Sequence, residues 1–158
     1  MTGTSGRVSE RLAELGVDLA LTRTPPLARY DLAKASGRLL YVAGHGPFLH
    51  GRPHVVGKVP STVSVENAQF AARLCALNCV TSIADALGDL DRVSSVLRVF
   101  GMVNADPDFT EHATVINGAS DVIIAIFGDL GKHTRAAVGM GSLPFGISAE
   151  LEMVVEFD

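Results

Sequence analysis

Arg135 is the one Lys or Arg in the closing stretch TRAAVGMGSLPFGISAELEMVVEFD, where most residues are small or apolar. Extended backbone points alternate side chains to opposite faces, so Arg135 shares a face with Ala137, Gly139 and Gly141, while Ala136, Val138 and Met140 face the other way. Glycine inside a strand costs stability and marks places where a ligand or another backbone comes close. A guanidinium at the end of a floor of small residues has the planar, five-donor geometry that holds a small carboxylate through two parallel hydrogen bonds. A second reading stands beside this one: Arg135 caps the edge of the sheet and pairs with Asp91 or Glu150.

Other groups are chemically less eloquent. His45, His50 and His54 fall in one loop, but without a nearby cysteine or an i, i+4 pair on a helix they lack a standard zinc spacing, so no metal is expected. A His45 that faces a ligand or handles water fits better. GHGPFLHG is glycine-rich but lacks the Lys-Ser/Thr ending of a phosphate loop, which argues against nucleotide binding. Cys75 and Cys79 sit four apart in a helical pattern and read as small buried residues rather than a bridge. Arg7, Arg11, Arg92 and Arg98 are scattered among acids. With 13 Lys and Arg against 17 Asp and Glu, a net charge of −4 and a pI near 5.7, the chain has the wrong sign to grip phosphate backbones by charge, so no nucleic-acid partner is expected.

The elements that must position Arg135 fit one domain in 158 residues. An apolar fraction of 47% and a mean hydropathy of +0.31 are high for a small soluble monomer, which points to a subunit contact. No apolar run approaches a membrane span, and Glu10 and Glu14 stand where a signal peptide would be apolar. A cytoplasmic protein with no membrane partner is expected. RVSERLAEL puts Val8, Leu12 and Leu15 on one stripe, giving a helical extension over 1–25 ahead of a single domain over 26–158. YDLAKASGRLLYVA reads as a hairpin around Ser-Gly, and the Gly- and Pro-rich stretch after it as a loop with a short strand at HVVG. The longest helix starts at Ser64 as N-cap and ends at Gly88, and a second runs from Ile116 through Phe127. RVSSVLRVFGMVNA is a strand between them, and TRAAVGMGSL and SAELEMVVEF form a closing hairpin. The fold class is α+β, a sheet with helices on one face.

Several of these pieces, taken in order, resemble the Rid family, the YjgF-like enamine/imine deaminases also described as endoribonuclease L-PSP. They are Tyr30 ahead of Ala43-Gly44-His45, the helix after SVENA, GDLDRV entering a strand, FGMVNADPDF, VINGASD, and Arg135 through Leu143-Pro144 to Glu150-Leu151-Glu152. The resemblance covers the chain from about residue 26 to the end. It implies a chorismate-mutase-like fold assembled as a homotrimer with clefts between neighbouring subunits. It also implies an activity: imines and enamines such as 2-aminoacrylate are hydrolysed to 2-keto acids and ammonia, with no cofactor.

By the same resemblance Arg135 clamps the substrate carboxylate and Glu150 orients the attacking water. Tyr30 lines the cleft, Asn117 lies near the pocket across a one-residue length difference, and Ala43, Gly44, His45, Ala137 and Gly139 border the substrate. Two positions depart from the deaminase pattern. Ala137 stands where a cysteine is typical, and Ala43-Gly44-His45 replaces a Ser-Gly-Gln turn. A trimeric protein that binds a small carboxylate or keto acid in the same arginine cleft without turnover is therefore the alternative to an enzyme.

Overall fold

The computed structural model describes residues 6–158; residues 1–5 of the expected N-terminal extension lie outside the described residues. Among the described residues three α-helices, α1 (Arg7–Glu14), α2 (Val65–Leu87) and α3 (His112–Phe127), accompany seven strands. These are β1 (Ala33–Ser36), β2 (Leu39–His45), β3 (Phe48–Leu49), β4 (Arg52–Pro53), β5 (Val93–Asn104), β6 (Thr134–Met140) and β7 (Ala149–Phe157). The main sheet has the order β1-β2-β7-β5-β6, and only the β5–β6 pair is parallel.

Local chemistry sets the ends of α2. Ser64 Oγ accepts from the Asn67 amide at 3.1 Å, and Gly88 closes the helix at φ 76°, where a side chain would be strained. The buried stripe of α2 is rich in Ala and Cys, so the helix lies close to the sheet. The Cys75 and Cys79 thiols reach the Ala149 and Leu151 carbonyls of β7 at 3.4 and 3.5 Å. Gly118 does the same service between the helices, because a Cβ there would collide with the Gln69 backbone of α2.

α1 is part of this core rather than a loose cover. Val8 and Leu12 belong to the same buried cluster as the sheet and the two long helices. The Asp91 carboxylate accepts from the Arg7 and Val8 amides at 2.8 and 2.9 Å, capping α1 from 84 and 83 residues further along the chain.

Two expectations need correction. The closing hairpin does not form: β6 pairs in parallel with β5, Val99 beside Arg135 and Val103 beside Gly139, while β7 inserts between β2 and β5. Parallel strands need a crossover connection, and α3 supplies one between β5 and β6. The short strand expected at HVVG is instead the small β3–β4 hairpin just before it, turned by His50 at φ 52° and Gly51 at φ 72°.

Burial pushes the pKa of both Cys75 and Cys79 up, with neighbouring acidic groups adding to the effect. Both thiols should stay unreactive toward a disulfide reagent at pH 8 in native protein and react on unfolding. The double alanine variant should lose roughly 1–3 kcal/mol in denaturant melts, with its fold unchanged in circular dichroism.

Candidate active site

Arg135 sits beside Val99, a fully buried residue on the helix-covered side of the sheet. Its guanidinium accordingly lies against α3. Nη1 donates to Asn117 Oδ1 at 2.9 Å and Ser120 Oγ at 3.0 Å, and Nη2 donates to the Ala113 carbonyl at 3.4 Å. The expected pairing with Asp91 or Glu150 does not occur, since Asp91 is occupied with α1 and neither carboxylate is within ion-pair range. Three of five N–H groups are used, which leaves Nε–H and one Nη2–H. Elsewhere in the chain that side of a guanidinium forms a two-pronged carboxylate contact: Arg23 places Nε and Nη2 on the two oxygens of Asp85 at 3.1 and 2.5 Å. The same two donors of Arg135 have no partner among the described residues.

Sequence reasoning missed Ser120 and His133, which hold this arginine. His133 Nδ1 lies 2.6 Å from the Gly131 carbonyl, an acceptor only, so Nδ1 carries the hydrogen. With the hydrogen on Nδ1, Nε2 accepts from the Ser120 hydroxyl at 2.9 Å, and Ser120 Oγ turns a lone pair toward Arg135. A signal existed in the sequence: Asn117 and Ser120 are three apart on a helix, and His133 and Arg135 two apart entering a strand.

Glu150 is on the other face. It pairs with Met102, and its neighbours Ala149 and Leu151 are fully buried beneath the helices, so Glu150 emerges on the side without helices. There a pocket of about 270 Å³ is lined by Leu27, Tyr30, Gly44, Phe48, Phe145 and Glu150. Tyr30 and Gly44 therefore meet Glu150 in one pocket. A Cβ on Gly44 would run into the Glu150 carboxylate, so glycine makes room for it. Phe145, 62% exposed and in the left-handed region at φ 57°, stands edge-on to Phe48 with ring centres 6.1 Å apart.

The other expected site residues separate. His45 does not face the pocket. One extra residue in β2 between Val42 and His45 forms a bulge opposite β7 and turns the imidazole under the sheet. Its Nδ1–H donates to the Ala43 carbonyl at 2.6 Å, and Nε2 accepts from Ser82 of α2 at 2.7 Å. Burial lowers its proton affinity, against a smaller opposing effect of the Ala43 bond. A role for His45 in handling substrate water is thus replaced by one in joining β2 to α2. Ala43 borders a shallow hollow with Lys34 and Glu152, Ala137 packs against the core, and Gly139 lies beneath the His112 ring at the far end of β6.

A family profile described as "YjgF/chorismate mutase-like, putative endoribonuclease" matches residues 9–155. The chain belongs to the YjgF/Rid family. Protein TCP17 of Trypanosoma cruzi is 41% identical over 155 residues, 98% of this chain and 96% of that protein. The solved structure of Atu1372 from Agrobacterium tumefaciens, a protein of unknown function, is 43% identical and superposes with a TM-score of 0.87 over 96% of this chain and 92% of that one. A Shewanella oneidensis protein described as "a putative endoribonuclease" is 26% identical with a TM-score of 0.91, covering 96% of this chain and all of that one. These long matches reach into α1, so the YjgF-like unit of this chain begins well before residue 26.

Burial raises the Glu150 proton affinity above the ordinary glutamate value, and the Glu152 charge adds to it. An acid whose pKa rises on folding destabilises the native state once it is ionised, so this penalty is absent below the unfolded pKa and grows as pH climbs from there through the folded one. Glu150→Gln should therefore melt at the same or a higher temperature than wild type at pH 7, and the gap should close near pH 3.5, below the reference value of about 4.3. A lower melting temperature for the variant at pH 7 would show that the carboxylate is held by a favourable partner.

Proposed function

We propose that the protein is a homotrimeric hydrolase of small carboxylate-bearing imines and enamines of the 2-aminoacrylate type, releasing 2-keto acid and ammonia. The observation that carries this reading is the side-on donor pair of Arg135, oriented by Asn117, Ser120 and Ala113 and left without an acidic partner among the described residues. Such a fork binds a carboxylate through two charge-assisted bonds. The motif resemblance to the Rid deaminases, read from the sequence, implies the same chemistry.

The two faces of the sheet support assembly. Arg135 on edge strand β6 and the pocket of Glu150 and Tyr30 open on opposite sides of one subunit, so a single chain does not put both groups on one small substrate. A closed ring in which each β6 edge meets a neighbour's Glu150 pocket would join them, with every site shared by two subunits. The face without helices also leaves Tyr41 50% and Val138 36% exposed, apolar surface suited to such a contact.

In the proposed reaction the enamine takes up a proton at carbon and gives one up from nitrogen to form its imine. Glu150 removes a proton from a water whose oxygen bonds to the imine carbon, and the carbinolamine then loses the C–N bond. The nitrogen departs as ammonia after receiving a proton, and the carbon becomes the keto carbonyl. A carboxyl of raised proton affinity suits both the uptake and the return of that proton. Orientation supplies much of the acceleration, because the imine carbon is already electrophilic. The ribonuclease in the family's description gains no support from charge: Arg23, Arg38 and Arg98 are each paired with an acid, and the net charge is −4.

Imines generated in place by an amino-acid oxidase, with keto-acid release followed, test the reading. Wild type should accelerate release. Arg135→Lys keeps the charge but loses the fork, and should fall by the equivalent of about 2–5 kcal/mol, a loss of roughly 30-fold or more. Undiminished turnover in Arg135→Lys would remove Arg135 from the site, and keto-acid binding without turnover by wild type would identify a carboxylate-binding protein instead.

A further inference from the structure

A larger cavity, about 550 Å³, opens at the far end of β6, with neither Arg135 nor Glu150 in its lining. Lys58, Asp106, Phe109, His112, Gly139 and Met140 form much of its lining. Lys58 Nζ donates to Asn104 Oδ1 at 2.9 Å and to the Gly141 carbonyl at 2.8 Å. Both acceptors are neutral, and among the described residues no carboxylate comes within ion-pair range of this ammonium. An ammonium has three N–H donors, so one donor and the full charge remain without an acidic partner.

A second nitrogen base lines the same space. The His112 ring stands edge-on to Phe109 at 5.1 Å, and the histidine rings that find hydrogen-bond partners among the described residues are those of His45 and His133. Its Nε2 would lie 2.5 Å from a Cβ on Gly139, so glycine at that point of β6 gives the ring its room. The one acid in the lining, Asp106, is partly occupied, accepting from the Ser61 amide at 3.0 Å. Phe109 and Met140 add apolar wall, which shields a bound charge from water and strengthens its attraction to the cation.

We propose that this cavity is a second anion subsite, in which Lys58 and His112 hold the carboxylate or phosphate of a small organic anion whose apolar part rests on Phe109 and Met140. The site is independent of the imine reading. Arg135 reaches the Ala113 carbonyl only at 3.4 Å, and its shorter bonds go to Asn117 and Ser120, one turn and more further along α3 than His112.

Ring resonances of His112 report on this cavity alone. The full-length protein is titrated at constant ionic strength with inorganic phosphate and, separately, with hexanoate, in nitrogen-15 histidine spectra. A saturable shift of His112 with either probe is expected in wild type and, undiminished, in Arg135→Lys. Affinity should fall at least tenfold in Lys58→Gln, which removes the charge, and be kept in Lys58→Arg, which retains it and so separates charge from folding. Saturation by phosphate alone would assign a phosphorylated ligand, and saturation by hexanoate alone a carboxylate with an apolar body. No saturable shift with either probe, equal affinity in Lys58→Gln, or loss of the shift in Arg135→Lys would overturn the proposal.

Discussion

The two-residue period of β7 constrains the rest of the site. Ala149, Leu151, Met153 and Val155 are all essentially fully buried under the helices, and a one-residue slip would expose the whole set at once. Glu150 must then emerge on the opposite face, against the bulge where Gly44 leaves space for it. Because β7 lies between β2 and β5, this one strand joins the hairpin that carries Gly44 to the strands that carry Arg135. The parallel pairing of β5 and β6 fixes the other half, turning Arg135 toward α3.

Arg135 is held by neutral groups only. Asn117, Ser120 and the Ala113 carbonyl orient it without cancelling its charge, and His133 sets the direction of the Ser120 hydroxyl. A carboxylate in their place would have satisfied the arginine as well and closed the site. Neutral support around an arginine with its side-on donors still unpartnered is the arrangement expected where the acid arrives from outside.

Much of this was legible in the sequence, for identifiable reasons. Ser64 and Gly88 bound α2 because capping chemistry is local, and alternation placed Arg135, Ala137 and Gly139 on a common face. Alternation does not say which strand lies alongside, so β6 was joined to β7 when it belongs beside β5. Nor does it survive a bulge. Continuing the inward row of Leu40 and Val42 would put Gly44 inside, but the extra residue reverses the order, burying His45 and opening Gly44 to the pocket. Ser120 and His133 escaped notice because their importance lies in a contact between a helix and the entrance to a strand, 13 residues apart. The pocket wall at Phe145 depends on a left-handed residue that no glycine announces.

The central claim is that Arg135 of one subunit works with Glu150 of its neighbour. Subunits carrying Arg135→Lys and subunits carrying Glu150→Gln, each inactive alone, can be co-assembled in equal amounts and their imine hydrolysis compared with wild type. In a three-membered ring every mixed assembly contains one site with both native residues, so about a quarter of the wild-type activity should return. Mixed trimers, verified by native mass spectrometry, that remain as inactive as either parent would contradict the shared site.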